Sequence, residues 1–174
     1  SCERMAESIA ADGHAVDILV NGAGITRDAT FRKLSKDNWD AVLRVNLDSM
    51  FNVTKLFIDG MLERGWGRIV NISSINGSKG QFGQTNYSAA KAGIHGFTKA
   101  LAQEVARKGI TVNTVSPGYL GTHMVTAVPE DVLKQIVAGI PVGRLGKPEE
   151  IAALIAFITS DNAAFMTGSN VSMN

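Results

Sequence analysis

Gly67-Arg68-Ile69-Val70-Asn71-Ile72-Ser73-Ser74-Ile75-Asn76-Gly77-Ser78-Lys79-Gly80-Gln81-Phe82-Gly83-Gln84-Thr85-Asn86-Tyr87-Ser88-Ala89-Ala90-Lys91 is the stretch that decides the fold. Residues 67–73 read as a strand, 74–84 as a Ser/Gly-rich loop, and Thr85 to about Lys108 as a long helix that stops at Gly109. The same alternation extends in both directions. Val16-Asp17-Ile18-Leu19-Val20 reads as a short buried parallel strand ending in Gly22 and Gly24. Ile110-Thr111-Val112-Asn113-Thr114-Val115 alternates and is β-branched, a strand broken by Pro117-Gly118. Residues 168–173 give a last strand.

Between the strands lie helical signals. Residues 3–12 read as the end of an amphipathic helix closed near Gly13. Ser35 offers an N-cap before Trp39, Val42 and Leu43, and a long helix follows from about Asn46 to Glu63. Residues 117–147 are a long excursion with one short helix from Pro129 to Val137, and Pro148-Glu149-Glu150 opens the last helix. Alternating strands and helices imply a parallel sheet with right-handed crossovers. The expectation is an α/β, Rossmann-like doubly wound domain over residues 1–174, with about four strands.

The chemistry lies in the same stretch. Tyr87 and Lys91 are four residues apart on a helix and therefore share one face, one turn from each other. A nearby ammonium favours a phenolate, so it is expected to lower a phenol pKa that otherwise lies near ~10. A phenol tuned in this way passes protons at physiological pH. Ser74 follows a strand, at the carboxyl edge of the sheet, where ligands of open α/β folds sit. Its hydroxyl suits a carbonyl oxygen. The three side chains describe a site that protonates a carbonyl while another group delivers hydride.

Composition narrows the alternatives. The chain has 174 residues, 45% of them hydrophobic, and a formal net charge of +1. Near-neutral charge gives no support for nucleic-acid or membrane binding. The apolar run Ile151 to Ile158 is far too short to span a bilayer. The single Cys2 cannot form an internal disulfide and fits a cytoplasmic protein. No spaced set of His, Cys, Asp and Glu suggests a metal.

The sequence resembles the short-chain dehydrogenase/reductase family along almost its whole length. Asn21-Gly22-Ala23-Gly24 stands where the family has an Asn-Asn-Ala-Gly turn. Asn46 in Arg44-Val45-Asn46-Leu47, with Ser74, Tyr87 and Lys91, matches the catalytic tetrad, and Pro117-Gly118 matches the Pro-Gly after the sixth strand. The resemblance implies that the chain is the C-terminal part of such a domain, without its first strands and Gly-rich turn. It also implies Tyr87 as general acid, Ser74 on the substrate carbonyl, Lys91 on the phenol and the nicotinamide ribose, and Asn46 holding a relay water. Read alone, Asn46 would be a helix-entry cap. The implied cofactor is NADPH, with NADH also open. Asn21, Gly22, Ala23, Gly24, Tyr87, Lys91, Pro117, Gly118 and Thr122 are expected to hold it, and a homotetramer is implied.

The phrases Gly24-Ile25-Thr26-Arg27-Asp28, Gly65-Trp66-Gly67-Arg68 and Ser116-Pro117-Gly118-Tyr119 resemble one subgroup in particular. It implies NADPH-dependent reduction of acetoacetyl-CoA to (R)-3-hydroxybutyryl-CoA, with Asp28, Gln81, Phe82, Gln84 and Tyr119 lining the pocket. Gln81 and Gln84 would offer amides to a carbonyl or thioester, and Phe82 and Tyr119 apolar walls. Gly22, Gly121 and His123 depart from the family's residues, and Pro129-Glu130 is less basic than the corresponding stretch. Loss of one turn-supporting hydrogen bond and a weaker grip on the CoA phosphates would follow. His123 reads as a surface residue. The rival readings are a reductase of 3-oxoacyl groups on acyl-carrier protein and a non-catalytic remnant of the fold.

Overall fold

The structure is a computed structural model and describes residues 1–122, 125 and 128–174. Helix α1 (Cys2–Ala11) precedes strand β1 (Ile18–Asn21). Helix α2 (Lys36–Leu43) begins at Ser35, whose hydroxyl accepts a 3.2 Å hydrogen bond from the Asn38 N–H. It runs through a π-helical turn at Arg44–Asp48 into α3 (Ser49–Arg64), which ends at left-handed Gly65. Strand β2 (Gly67–Ile72), short helix α4 (Ile75–Lys79) and long helix α5 (Thr85–Val105) follow, then β3 (Ile110–Pro117). Helices α6 (Glu130–Ala138) and α7 (Pro148–Thr159) and strand β4 (Asn170–Met173) follow.

The four described strands form one sheet in the order β1-β2-β3-β4, with every neighbouring pair parallel. This is the expected Rossmann-like α/β architecture, since helices cover both faces. On one face Ile58 and Met61 of α3 and Ala102 and Val105 of α5 pack with Leu19, Ile69 and Val112. On the other, Ile151 and Ile158 of α7 pack with Val70 and Val115. Burial on two faces explains why β2 and β3 are continuously buried apart from their last residues.

Three local features differ from the sequence reading. Strand β1 is not buried on both faces: Leu19 is, while Ile18 and Val20 are 49% and 44% exposed. It pairs only with β2 among the described residues, and its outer face carries no covering helix there. The loop after Ser74 contains α4, because the Ser74 hydroxyl caps the Asn76 N–H at 3.2 Å. The helix expected from Asn46 is a π turn before it becomes α3. No helix among the described residues is long and apolar enough to cross a membrane.

Candidate active site

The site lies at the carboxyl ends of β1, β2 and β3. Strand β2 delivers Ser73 and Ser74, and α5 returns over them. Two contacts fix that return. The Ser73 hydroxyl donates to the Lys91 carbonyl at 2.8 Å, and Gly77 of α4 lies directly against Lys91. A Cβ on Gly77 would come within 2.8 Å of the Lys91 carbonyl carbon, so no side chain fits there.

Tyr87 is half-buried on the first turn of α5, and Asn86 beside it is fully buried. The Asn86 amide donates to the Arg27 carbonyl at 3.1 Å and anchors the start of α5 to the chain after β1. The Tyr87 phenol lies close enough to the Ser74 hydroxyl for that hydroxyl to favour its ionised form, so the two predicted side chains meet. Lys91 is buried, with its Nζ donating to the Ile72 carbonyl at 2.8 Å and lying 5.6 Å from the centre of the Tyr87 ring.

The expectation that Lys91 depresses the phenol pKa is not met in this state. Burial pushes the Tyr87 pKa up, the Ser74 hydroxyl pulls it down by less, and the Asp28 charge raises it further. Lys91 is itself pushed down to about 8 by burial, and its ammonium is committed to Ile72. The pair is therefore a desolvated phenol and a desolvated amine, each disfavoured in its charged form.

Asn46 sits in the π turn and is no helix cap. Widening a helix by one residue frees a backbone carbonyl. The Asn46 Nδ2 donates to that of Val42 at 2.9 Å and to the Ile25 carbonyl at 2.9 Å. Its Oδ1 is buried and has no protein partner. A Cβ on Gly24 would lie 2.8 Å from this Oδ1 and 3.5 Å from the Lys91 Nζ. Gly24 thus keeps open a small polar cradle between an unpaired acceptor and a donor, and these residues fit a hydroxyl-bearing ligand or a water. Asn21 is buried, whereas Gly22, Ala23 and Gly24 present exposed backbone at the same edge.

The remaining predicted residues divide. The Gln84 amide is committed at both ends: Nε2 donates to Asp28 Oδ2 at 2.8 Å, and Oε1 accepts from Asn76 Nδ2 at 3.0 Å. With the Ala29 N–H donating to the Gly83 carbonyl at 2.9 Å, this ties the segment after β1 to the one before α5. Gln81 is exposed, and Phe82 is 87% exposed and forms no wall. Tyr119 lines a cavity of about 550 Å³ with Ile75, Lys79, Leu120, Ile136 and Ile140, and the Lys79 ammonium lies 5.8 Å from its ring centre. The Gly118 N–H donates to Met173 at 2.9 Å and the Thr122 N–H to Leu120 at 2.7 Å, while Pro117 ends β3. His123 lies outside the described residues. Among those described, no group of His, Cys, Asp and Glu could hold a metal ion.

Sequence reasoning missed Ser73, Asn76 and Gly77. Ser73 adjoins the recognised Ser74, and a Gly in a Ser-rich loop is an ordinary turn signal, so neither stands out without the fold.

A family model described as enoyl-(acyl carrier protein) reductase matches residues 1–174. An acetoacetyl-CoA reductase of Cupriavidus necator is 67% identical over 91% of this chain and 65% of its own length. The chain thus spans just under two thirds of that relative. A second acetoacetyl-CoA reductase, of Allochromatium vinosum, is 59% identical over 98% of this chain and 70% of its own. A 3-oxoacyl-(acyl-carrier-protein) reductase of Vibrio cholerae is 44% identical over the whole chain and 71% of its own length. The chain belongs to the short-chain dehydrogenase/reductase family.

Proposed function

We propose that the protein reduces acetoacetyl-CoA to (R)-3-hydroxybutyryl-CoA, with NADPH as the reductant. The observation that carries the reading is the convergence of Ser74, Tyr87 and buried Lys91 at one sheet edge. The 67% identity to a relative named for this reaction supports it. Asn21, Gly22, Ala23 and Gly24, the Lys91 amine and the Pro117-Gly118 turn would hold the cofactor, which supplies the hydride.

The chain's own part is proton delivery and orientation. The Ser74 oxygen accepts from the Asn76 N–H, which leaves the hydroxyl hydrogen to donate to the ketone oxygen. Tyr87 gives its phenolic proton to that oxygen as hydride reaches the carbon, so the carbonyl π bond is replaced by one C–H and one O–H bond while the C–O single bond remains. The high proton affinity of a buried phenol keeps the donor protonated until charge develops on the substrate. Lys91 and the unpaired Asn46 Oδ1 face the same cradle beside Gly24, which suits them to return a proton to Tyr87 through a water. Asp28 and Gln84 act as a tie that sets the loop carrying Gln81 and Phe82. The reading includes a homotetramer and a cytoplasmic location.

A second reading, reduction of 3-oxoacyl groups on acyl-carrier protein, is favoured by one observation. The cavity beside Tyr119 is about 550 Å³ and is not closed by Phe82. A long apolar channel rewards chain length by about 0.8 kcal/mol per buried methylene. The test is kcat/KM across 3-oxoacyl thioesters of increasing length, on CoA and on carrier protein. A maximum at acetoacetyl-CoA supports the first reading, and a rising profile or a strong preference for carrier protein supports the second.

A further inference from the structure

One layer below Lys91 the sheet carries a buried polar row that the proton chemistry does not use. Strand pairing sets Asn21 beside Asn71 and Asn71 beside Thr114. Asn71 and Thr114 are fully buried, Asn21 is 6% exposed, and Thr98 of α5 above them is 1% exposed. The Asn21 Nδ2 donates to Thr54 Oγ1 of α3 at 3.1 Å and to Asn71 Oδ1 at 2.9 Å. The Asn71 Nδ2 donates to Thr98 Oγ1 at 2.9 Å, and the Thr114 hydroxyl donates to the same oxygen at 2.8 Å.

Thr98 is thus the one point at which α5 is hydrogen-bonded by side chains of both β2 and β3 within this row. It lies seven residues, two turns, after Lys91 and so on the same face of the helix, roughly 10 Å along the axis. The row below it is Leu19, Ile69 and Val112, against which Ala102 and Val105 pack. Apolar contact of that kind is non-directional and tolerates small slides along the axis. Two converging hydrogen bonds on one oxygen do not, because stretching either leaves a buried donor unsatisfied.

We propose that Thr98 is a positioning residue: accepting from Asn71 and Thr114, it fixes the axial register of α5 on the sheet and so sets the height of Tyr87 and Lys91 against Ser74. Asn71 lies two residues before Ser73 on β2, so the strand that anchors Thr98 also presents the serine hydroxyls. Asn21 opens the Asn-Gly-Ala-Gly turn, so the same row ties that turn to α3 and β2. The proposal rests on the assignment of Tyr87 and Lys91 made above.

The test compares Thr98→Val, which removes the hydroxyl at nearly constant shape, with Thr98→Ser, which restores it. Both are made in the full-length protein alongside Tyr87→Phe, with kcat and KM for acetoacetyl-CoA measured separately. Misplacement of reacting groups by about 1 Å costs on the order of 100-fold. Thr98→Val is therefore expected to lower kcat at least ~10-fold with KM within roughly a factor of two, Thr98→Ser to recover most of it, and amide exchange over residues 87–91 to quicken in Thr98→Val. A native kcat in Thr98→Val, or equal losses in the Val and Ser variants, overturns the proposal while an inactive Tyr87→Phe leaves the site assignment standing. An active Tyr87→Phe overturns both. Should Thr98→Val fail to fold, Asn71→Leu/Thr98→Val/Thr114→Val decides, since it removes Thr98 together with both of its donors and leaves without a partner only the Asn21 N–H that met Asn71, while Asn21 still donates to Thr54. A folded triple variant with lowered kcat supports the proposal, and one with native kcat overturns it.

Discussion

Two rows of the same sheet, two residues apart on each strand, are built of opposite chemistry. The lower row, Leu19, Ile69 and Val112, packs on Met61, Ala102 and Val105. The upper row, Asn21, Asn71 and Thr114, is as deeply buried but hydrogen-bonded to Thr54 and Thr98. Burying apolar surface stabilises the fold by about 25 cal/mol per Å² whichever way the groups slide. Burying amides and hydroxyls yields little net stability but fixes direction. Stability is therefore concentrated in the lower half and geometry in the upper half, directly beneath Ser73, Ser74 and Lys91.

The largest expected effect lies in the upper half. Tyr87→Phe keeps the ring and removes the donor, so reduction should fall by roughly 10²–10⁴-fold with the unfolding temperature and cofactor affinity nearly unchanged. A comparable loss of stability in steady-state and thermal measurements would break the contrast. Its mirror in the lower half is Ile69→Ala, at a fully packed position. Chemical denaturation should show a loss of about 2–5 kcal/mol, while the protein still folded keeps its kcat. A kcat that drops with stability would show that the halves are not separable.

A smaller effect comes from pH. Lys91 is held at about 8 against 10.5 in an unfolded chain. Between these values the folded protein binds fewer protons than the unfolded chain, so this group makes stability rise with pH across that window. The cost of burying its ammonium is fully present below it. Tyr87, whose pKa is raised, acts only above its ordinary value near 10, with the opposite sign. Denaturant midpoints measured from pH 7 to 9.5 should thus rise more in the native protein than in Lys91→Met. The rate of reduction should fall through about pH 8 as the ammonium is lost, and equal midpoints with a flat rate profile would remove Lys91 from the account. The smallest expected effect is that of Asp28→Asn. Losing the charge lowers the Tyr87 pKa while the amide oxygen still accepts from Gln84, so the tyrosine absorbance titration should shift down with little change in stability.

Much of this was legible in the sequence. The runs Ile110–Val115 and Gly67–Ser73 announced strands, and Ser35 marked a helix start where the structure has it. Tyr87, Lys91 and Ser74 were legible because helical spacing and a position after a strand are local facts. The upper row was not, because Asn21, Asn71 and Thr114 become neighbours only through strand register, and nothing local marks Thr98 as their meeting point. The π turn that turns Asn46 inward depends on packing around Val42 and Ile25, beyond any spacing rule. Gln84 looked like a free amide because its two partners, Asp28 and Asn76, are remote in sequence or in a helix not foreseen there. The direction of the Tyr87 shift was misjudged for a related reason: spacing reports that an ammonium is near, and only the fold reports how deeply both groups are buried.

The most direct measurement of the central claim follows the hydride itself. The full-length protein is given NADPH carrying deuterium at the transferable position, with acetoacetyl-CoA in one reaction and crotonyl-CoA in another, and the products are analysed by mass spectrometry and NMR. A site that couples hydride delivery to protonation by Tyr87 should place one deuterium on the carbon that gains the hydroxyl of 3-hydroxybutyryl-CoA, and leave crotonyl-CoA unchanged. Saturation of crotonyl-CoA without reduction of the ketone, or no deuterium in either product, would contradict it.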